Sequence, residues 1–269
     1  MRAFYKTLMA EIVKQHKNYF HSKTIYISLF IWPILSFITA YYSFKSFDLS
    51  ESRVVYITPS NVIVYLLLGY MCMSFFRSLV QSAWRFSYER ISGTLELIFL
   101  SPGSRIAVLL GNAVSSLFES VFVMVVFTIS LLTIKSDAVD INRVSCAAVL
   151  LLTILMAVIW GMFLNSLFLF SRDTNFLYSV LEEPMEIFSG VKVPTSLFPV
   201  WAKVISVIFP LTYAIEAVRR VMLQGSPLYE VRNFFVTGIL IIAILFIAVI
   251  VILNRVEKHV RRTGNITLF

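Results

Sequence analysis

Long apolar runs, each bounded by charged or turn-forming residues, dominate this chain. They fall at 25–44, 61–80, 106–134, 144–170 and 234–253. Each matches or exceeds the roughly 20 residues that a helix needs to cross the hydrocarbon of a bilayer. A bilayer core offers no water to unpaired amides and carbonyls, so such runs predict helices rather than open strands. A sixth run, 176–190, is shorter and interrupted by carboxylates. The expected fold is therefore all-α: one polytopic domain over 1–269 with six transmembrane helices.

Two regions break this rhythm. In 1–23 the apolar and polar residues separate on a helical wheel, with Phe4, Tyr5, Leu8, Met9, Ile12 and Val13 on one side. Lys6, Thr7, Glu11, Lys14 and Lys17 take the other. That predicts an amphipathic helix in the membrane interface, with Lys6, Lys14 and Lys17 toward the headgroups; an ordinary soluble helix is the competing reading. In 176–227, Glu182, Glu183, Glu186, Lys192 and Lys203 recur, and Gly190, Pro194, Pro199 and Pro210 cut the chain into short pieces. A half-length helix followed by shallow returning helices over 191–226 fits better than two clean spans. Pro33 predicts a kink in the first span, and Arg77–Tyr88 reads as the second helix leaving the membrane.

Composition narrows the function classes. With 58% hydrophobic and 14% charged residues, the chain is too apolar for a soluble domain. The net charge of +8 arises from Lys and Arg at the ends of the apolar runs, which points to anionic membrane lipids as partner and away from nucleic acid. Cys72 and Cys146 lie inside apolar runs and imply no disulfide framework. A charged segment precedes the first long run, so no secretory signal is expected. With a cytoplasmic N-terminus, that side carries the larger share of the 23 basic residues, and Asp48, Glu51, Asp137 and Asp140 offset those of the loops 45–58 and 135–143. An even number of spans then puts both termini in the cytoplasm. No internal repeat is visible, which weighs against transporters built from repeated halves.

Catalysis has little foothold. His16, His21 and His259 show no metal-ligand spacing, and neither a nucleophile elbow nor a His-Glu-x-x-His motif occurs. A Gly-x-x-x-x-Gly-Lys-Ser/Thr phosphate loop is also missing. The expectation is a non-enzymatic chain that binds no cofactor or metal itself.

The most informative polar stretch joins the second and third spans, from Tyr88-Glu89-Arg90-Ile91-Ser92-Gly93-Thr94-Leu95-Glu96 to Ser101-Pro102. Gly93 allows a sharp turn. Leu95, Ile98 and Phe99 then share a face of a short helix that Pro102-Gly103 stops. That face must be buried against a partner protein or against the chain's own helices, and the residues alone leave both open.

Glu89-Arg90, Gly93-Thr94-Leu95-Glu96 and Ser101-Pro102 resemble the cytoplasmic coupling region of type-2 ATP-binding-cassette exporter permeases. Phe188-Ser189-Gly190, Pro194, Phe198-Pro199, Trp201 and Pro210-Leu211-Thr212-Tyr213-Ala214 with Arg219 resemble that family's external re-entrant segment. The resemblance implies six spans, an interfacial N-terminal helix, and a bacterial-type plasma membrane with both termini inside. It also implies partners: cassette ATPase subunits that bind ATP and Mg, and a second permease subunit, identical or not. By the same resemblance Glu89, Arg90, Gly93, Thr94, Leu95, Glu96 and Pro102, in the segment 89–102, meet the ATPase. Lys6, Lys14 and Lys17 lie on the helix beside it, and Gly190, Pro194, Pro210 and Arg219 shape the outer segment. Drugs, peptides, lipids and lipid-linked glycans are the family's amphiphilic substrates.

Inside the membrane Glu119 stands out, because a mid-span carboxylate costs about 2.5–3.5 kcal/mol on insertion scales. It serves substrate contact or gating, or bonds a neighbouring helix, or simply lies near the interface. Tyr70, Phe75, Phe76 and Glu182 could border a substrate path, and aromatic residues at such spacing equally serve packing. Other classes remain in view: a secondary transporter or channel, which Glu119 alone supports, and a membrane-embedded enzyme acting on lipid-linked substrates, for which Glu182, Glu183 and Glu186 would be the acidic cluster.

Overall fold

The computed structural model describes residues 2–19, 23–45, 61–134, 143–170 and 173–263. The loop residues 46–60 and 135–142, which the orientation argument used, lie outside them, as do the side chains of Arg90, Phe99 and Pro33. Ten α-helices and no strand occur among the described residues: α1 (Arg2–Tyr19), α2 (Lys23–Lys45), α3 (Val62–Ile91), α4 (Thr94–Leu100), α5 (Arg105–Ile134), α6 (Arg143–Phe170), α7 (Thr174–Phe188), α8 (Val200–Ser206), α9 (Pro210–Gln224) and α10 (Arg232–Thr263).

Among the described residues, three helices are long and apolar enough to cross a membrane: Val62–Glu89, Val144–Phe168 and Arg232–His259. The pair α8 and α9, bent by 95°, makes a fourth if counted as one broken span. The bend has a local cause. Pro210 opens α9 at its first turn, and its missing amide ends the preceding hydrogen-bond ladder at Phe209.

Helix α3 is the hub. It packs against α5, α6, α7 and α9, and 83% of its most apolar window is buried, against 17% for α10. Tyr65, Leu66, Phe75, Phe76, Leu79 and Val80 are sealed inside. Helix α10 rests on α6 and α9 and turns Ile239, Leu240, Ile244 and Ile247 outward, as a helix facing acyl chains does.

Helix α1 lies along α5, and its faces divide differently from the helical wheel. Glu11 and Gln15 are buried, whereas Phe4, Tyr5, Met9 and Val13 are exposed. The wheel groups Glu11 with the lysines because it records angular position alone. In the fold Glu11 turns inward, where Gln15 Nε2 donates to its carboxylate at 2.7 Å and Lys14 stands 2.9 Å away. Lys6 and Lys17 stay exposed.

Candidate functional site

At the end of the bundle where α3 meets α4, the chain turns at Ser92-Gly93. Ser92 donates its amide to the Tyr88 carbonyl at 2.8 Å, and Gly93 sits in the left-handed region at φ 71°, which other residues enter at a penalty. A side chain there would meet open space, so the backbone angle alone selects glycine. The Thr94 hydroxyl then reaches the Glu89 carbonyl at 3.0 Å and the Glu89 carboxylate. The other carboxylate oxygen of Glu89 pairs with Lys14 Nζ at 2.9 Å. Both oxygens of Glu89 are thus engaged within the chain, and one acid ties α3 to α4 and to α1. Burial works to lower the Lys14 pKa, but the Glu11 and Glu89 carboxylates outweigh it and hold the ammonium above its ordinary value.

The short helix divides its apolar residues. Leu95 is 1% exposed and Ile98 packs on the core, whereas Leu97 and Leu100 are 67% and 82% exposed. Glu96 and Pro102 are exposed beside them. Leu95 therefore seats α4 on the bundle, and Leu97, Leu100 and Glu96 form its outward face. Leu97 and Leu100 were not picked out from the sequence; their spacing of three marks one helical face, but nothing in it says which face turns out.

Deeper in the bundle, buried charges join the helices. Glu119 on α5 is 2% exposed and pairs with Arg85 of α3 at 2.7 Å. The Arg85 guanidinium also lies 5.0 Å from the Tyr19 ring centre on α1. This partner explains how a carboxylate survives there. Arg77 of α3 sits between Glu182 (2.6 Å) and Glu186 (3.2 Å), one turn apart on α7, and Lys192 reaches Glu186 at 2.9 Å. Tyr70, Phe75 and Phe76 are packed in the α3 core at 3% exposure or less.

Between α3 and α7 a cavity of about 340 Å³ is lined by Gln81, Trp84, Arg85, Asn175, Tyr178 and Ser179. Trp84 Nε1 donates to Asn175 Oδ1 at 2.8 Å, and the Trp84 ring faces Tyr178 at 6.0 Å between centroids. The lining joins aromatic surface to amides, a hydroxyl and a guanidinium, so it can hold a molecule with an apolar body and a polar end. None of these six residues was picked out as a site from the sequence. Among the described residues, no group of three or more His, Cys, Asp or Glu could hold a metal ion.

At the opposite end of α3, Arg219 of α9 is 3% exposed. Its guanidinium donates to the carbonyls of Gly190 (2.6 Å), Val191 (2.7 Å) and Tyr65 (3.2 Å) and lies 3.5 Å from the Tyr65 ring centre. Gly190 adopts φ 83°, which turns the chain after α7 so that two successive carbonyls face the same cation. Gly69 lets the pieces meet: a Cβ there would stand 2.5 Å from the Val191 oxygen and 2.6 Å from the Arg219 guanidinium. Pro194 and Pro210 are both buried nearby in sequence, at the start of the short helical pieces.

Comparison with known families agrees with this architecture. The family model described as ABC-2 type transporter matches residues 7–223, from α1 to the last turn of α9. No curated protein matches the chain. The matched region includes the short helix α4, the buried ion pairs and the bent pair α8–α9, and apolar helices carry it through the membrane. The chain is a multi-pass membrane protein and belongs to the ABC-2 type transporter family, as a membrane permease component of an ABC transporter.

Proposed function

We propose that this chain is the membrane-spanning subunit of an ATP-driven exporter of an amphiphilic substrate. Family members normally work with a cassette ATPase. Here ATP and Mg are bound by that separate subunit, and two permease subunits, identical or different, form the membrane part. Six spans place both termini in the cytoplasm of a bacterial-type plasma membrane, with α4 on the ATPase side and the 191–226 segment outside.

The observation that carries this reading is α4. A seven-residue helix outside the apolar runs turns Leu97 and Leu100 mostly outward, at 67% and 82% exposure, and apolar surface of that kind calls for a protein partner. Glu96, Gly93 and Pro102 border this face and would meet the ATPase with it, as would Arg90. Glu89 and Thr94 serve differently: they fasten α4 to α1 and α3, so that a push on α4 reaches Lys14 and the whole of α1. The cavity between α3 and α7 supports an amphiphilic substrate, with Trp84 and Tyr178 for its apolar body and Gln81, Asn175 and Arg85 for its polar end.

The experiment is reconstitution. Purified permease in vesicles should hydrolyse no ATP alone, and adding the cassette ATPase should give hydrolysis that amphiphiles stimulate. Replacing Leu97 and Leu100 together by Ser should leave the permease folded and reduce co-purification of the ATPase. Undiminished assembly by the double variant would remove α4 as the docking face, and ATP turnover by permease free of any cassette protein would sink the reading as a whole.

A further inference from the structure

One face of α7 turns away from the bundle. Phe176, Val180, Glu183 and Ile187 follow one another at intervals of four, three and four residues, which stacks them in a single stripe about 16 Å long. All four are exposed. We propose that this stripe is the contact surface for a cationic amphiphile, with Glu183 as its countercharge. The inference rests on the exporter reading above and deepens it: the exported substrate carries a positive headgroup.

The depth of Glu183 excludes acyl chains as its neighbour. Glu182, the residue before it, pairs with Arg77 of α3, and Arg77 stands near the middle of the span Val62–Glu89. A carboxylate facing hydrocarbon at that level is costly, so an acid there meets protein, water or a ligand. Within the chain Glu183 meets nothing of the kind: among the described residues no ion pair or hydrogen bond engages its carboxylate. The charges around it are matched to one another already. Arg77 is held by Glu182 and Glu186, and Lys192 by Glu186, so two cations meet two carboxylates. Glu183 is the acid left over.

The chemistry of the stripe selects the ligand. Pro184 sits inside α7 and has no amide to give to the Val180 carbonyl one turn earlier. That oxygen lacks its ordinary helical donor, and it belongs to the same stripe as Glu183. A carboxylate and a carbonyl suit a cation that bears N–H donors. Phe176, Val180 and Ile187, at 63%, 46% and 59% exposure, suit an apolar chain lying along the helix. An anionic headgroup would be repelled by Glu183, and a neutral one would leave it uncompensated. The cavity between α3 and α7 leads to this stripe, because its lining residues Asn175 and Ser179 are the chain neighbours of Phe176 and Val180. Arg85 in that lining is matched by Glu119 at 2.7 Å, so it does not oppose a cation there as a bare guanidinium would.

The full-length permease in phosphatidylcholine nanodiscs tests this by photolabelling with dodecylammonium, dodecyl glucoside and dodecanoate, each carrying a diazirine in its chain. Peptide mass spectrometry locates the label. Labelling of α7 is taken relative to that of α10, whose Ile239, Leu240, Ile244 and Ile247 face outward, which cancels the different partitioning of the probes into the bilayer. The ratio for dodecylammonium should exceed that for the glucoside by about two- to fivefold, the range of a partly exposed ion pair. Dodecanoate should fall below the glucoside. Glu183→Gln should bring the three ratios together, and Glu183→Asp should keep part of the preference. Equal ratios in the parent, or a preference that survives Glu183→Gln, would overturn the proposal. So would cross-linking of two permease subunits through Val180→Cys with no label on α7, which would give the stripe to a second copy of the chain. Hydrolysis by the complex with the cassette ATPase separates this inference from the exporter reading. Stimulation by all three amphiphiles alike, with equal ratios, sinks the cationic class alone. A Glu183-dependent preference without stimulation by any amphiphile upholds the site and sinks export.

Discussion

Helix α3 is fastened at both ends, by different physics. At the end near Tyr65 a guanidinium 3% exposed is surrounded by three backbone carbonyls and an aromatic face. At the α4 end the fastening is an ammonium 32% exposed, shared between two carboxylates. A buried charge with no acceptors is intolerable, so separating α7 or α3 from α9 would strip Arg219 of partners that nothing apolar replaces. Lys14 is partly open to water, with Glu89 at 11% side-chain exposure, so this pair gives way at a smaller penalty than the Arg219 clamp does. The Arg219 junction is accordingly the tighter of the two fastenings, and on the reading proposed above a push on α4 would be taken up first at the weaker one.

The sharpest way to break this contrast is Arg219→Ala. It leaves the carbonyls of Gly190, Val191 and Tyr65 without their shared donor, at about 1–3 kcal/mol for each buried group left unsatisfied. The thermal unfolding midpoint in detergent should fall further than for Gly69→Ala, Lys14→Ala, Glu89→Ala or Arg220→Ala. Arg219→Lys should recover part of the loss, because a point charge cannot reach three acceptors as a planar fork does. A midpoint within a degree of the parent would show that the Arg219 junction is not the tighter fastening.

Gly69→Ala tests the same junction from α3. The new methyl meets the Val191 oxygen and the Arg219 guanidinium at 2.5 and 2.6 Å, and overpacking of this kind costs about 1–3 kcal/mol. Because both changes act on one contact, Gly69→Ala combined with Arg219→Lys should destabilise by less than the sum. Strict additivity in chemical or thermal denaturation would mean that the two act at separate places.

At the α4 end the expected loss of stability is smaller and the functional effect larger. Lys14→Ala and Glu89→Ala should each cost less than about 1 kcal/mol, yet both should weaken the response of ATP hydrolysis to substrate in the reconstituted complex. The charge-swapped pair, Lys14→Glu with Glu89→Lys, should restore much of that response. The pH dependence has a definite sign: the Lys14 pKa is raised above 10.5, so the pair is complete at neutral pH and is lost only as the pH climbs past that raised value. Wild-type stimulation by both single variants would leave α1 outside the coupling path.

The sequence made some of this legible and hid the rest for physical reasons. The all-helical class and the short α4 were readable because their causes are local: apolar runs of sufficient length, a glycine at the turn, a proline beyond. Glu119 was readable as an oddity, since a carboxylate in an apolar run demands an explanation, but its partner Arg85 lies 34 positions away. The inward turn of Glu11 was not legible, because a wheel gives the angle between side chains and not the direction of the neighbouring helix. Arg219 was picked out together with Gly190, but only through the family resemblance; its clamping role was not legible, because its partners are backbone carbonyls, which carry no side-chain signature.

The neighbouring arginine supplies the gentlest test. Arg220 differs from Arg219 by one position, about 100° around α9, and that rotation moves it from the interior to a partly exposed surface. Its side chain is 43% exposed, and it pairs with Glu216 one turn earlier at 3.2 Å. It also lies 4.9 Å from the Phe234 ring centre on α10. A helical pair of this spacing contributes about 0.2–0.5 kcal/mol, and an exposed cation over a ring about 0.5–1 kcal/mol. Arg220→Ala should thus cost roughly 1 kcal/mol or a little more on those figures, and raised salt should shrink the ion-pair share of the difference from the parent, since water and counterions reach both partners. The Arg219→Ala deficit, set by orphaned carbonyls in a dry interior, should keep its size at every salt concentration. If the two adjacent arginines gave equal, equally salt-sensitive losses, the division of this end of α9 into a buried clamp and a solvated surface would be wrong.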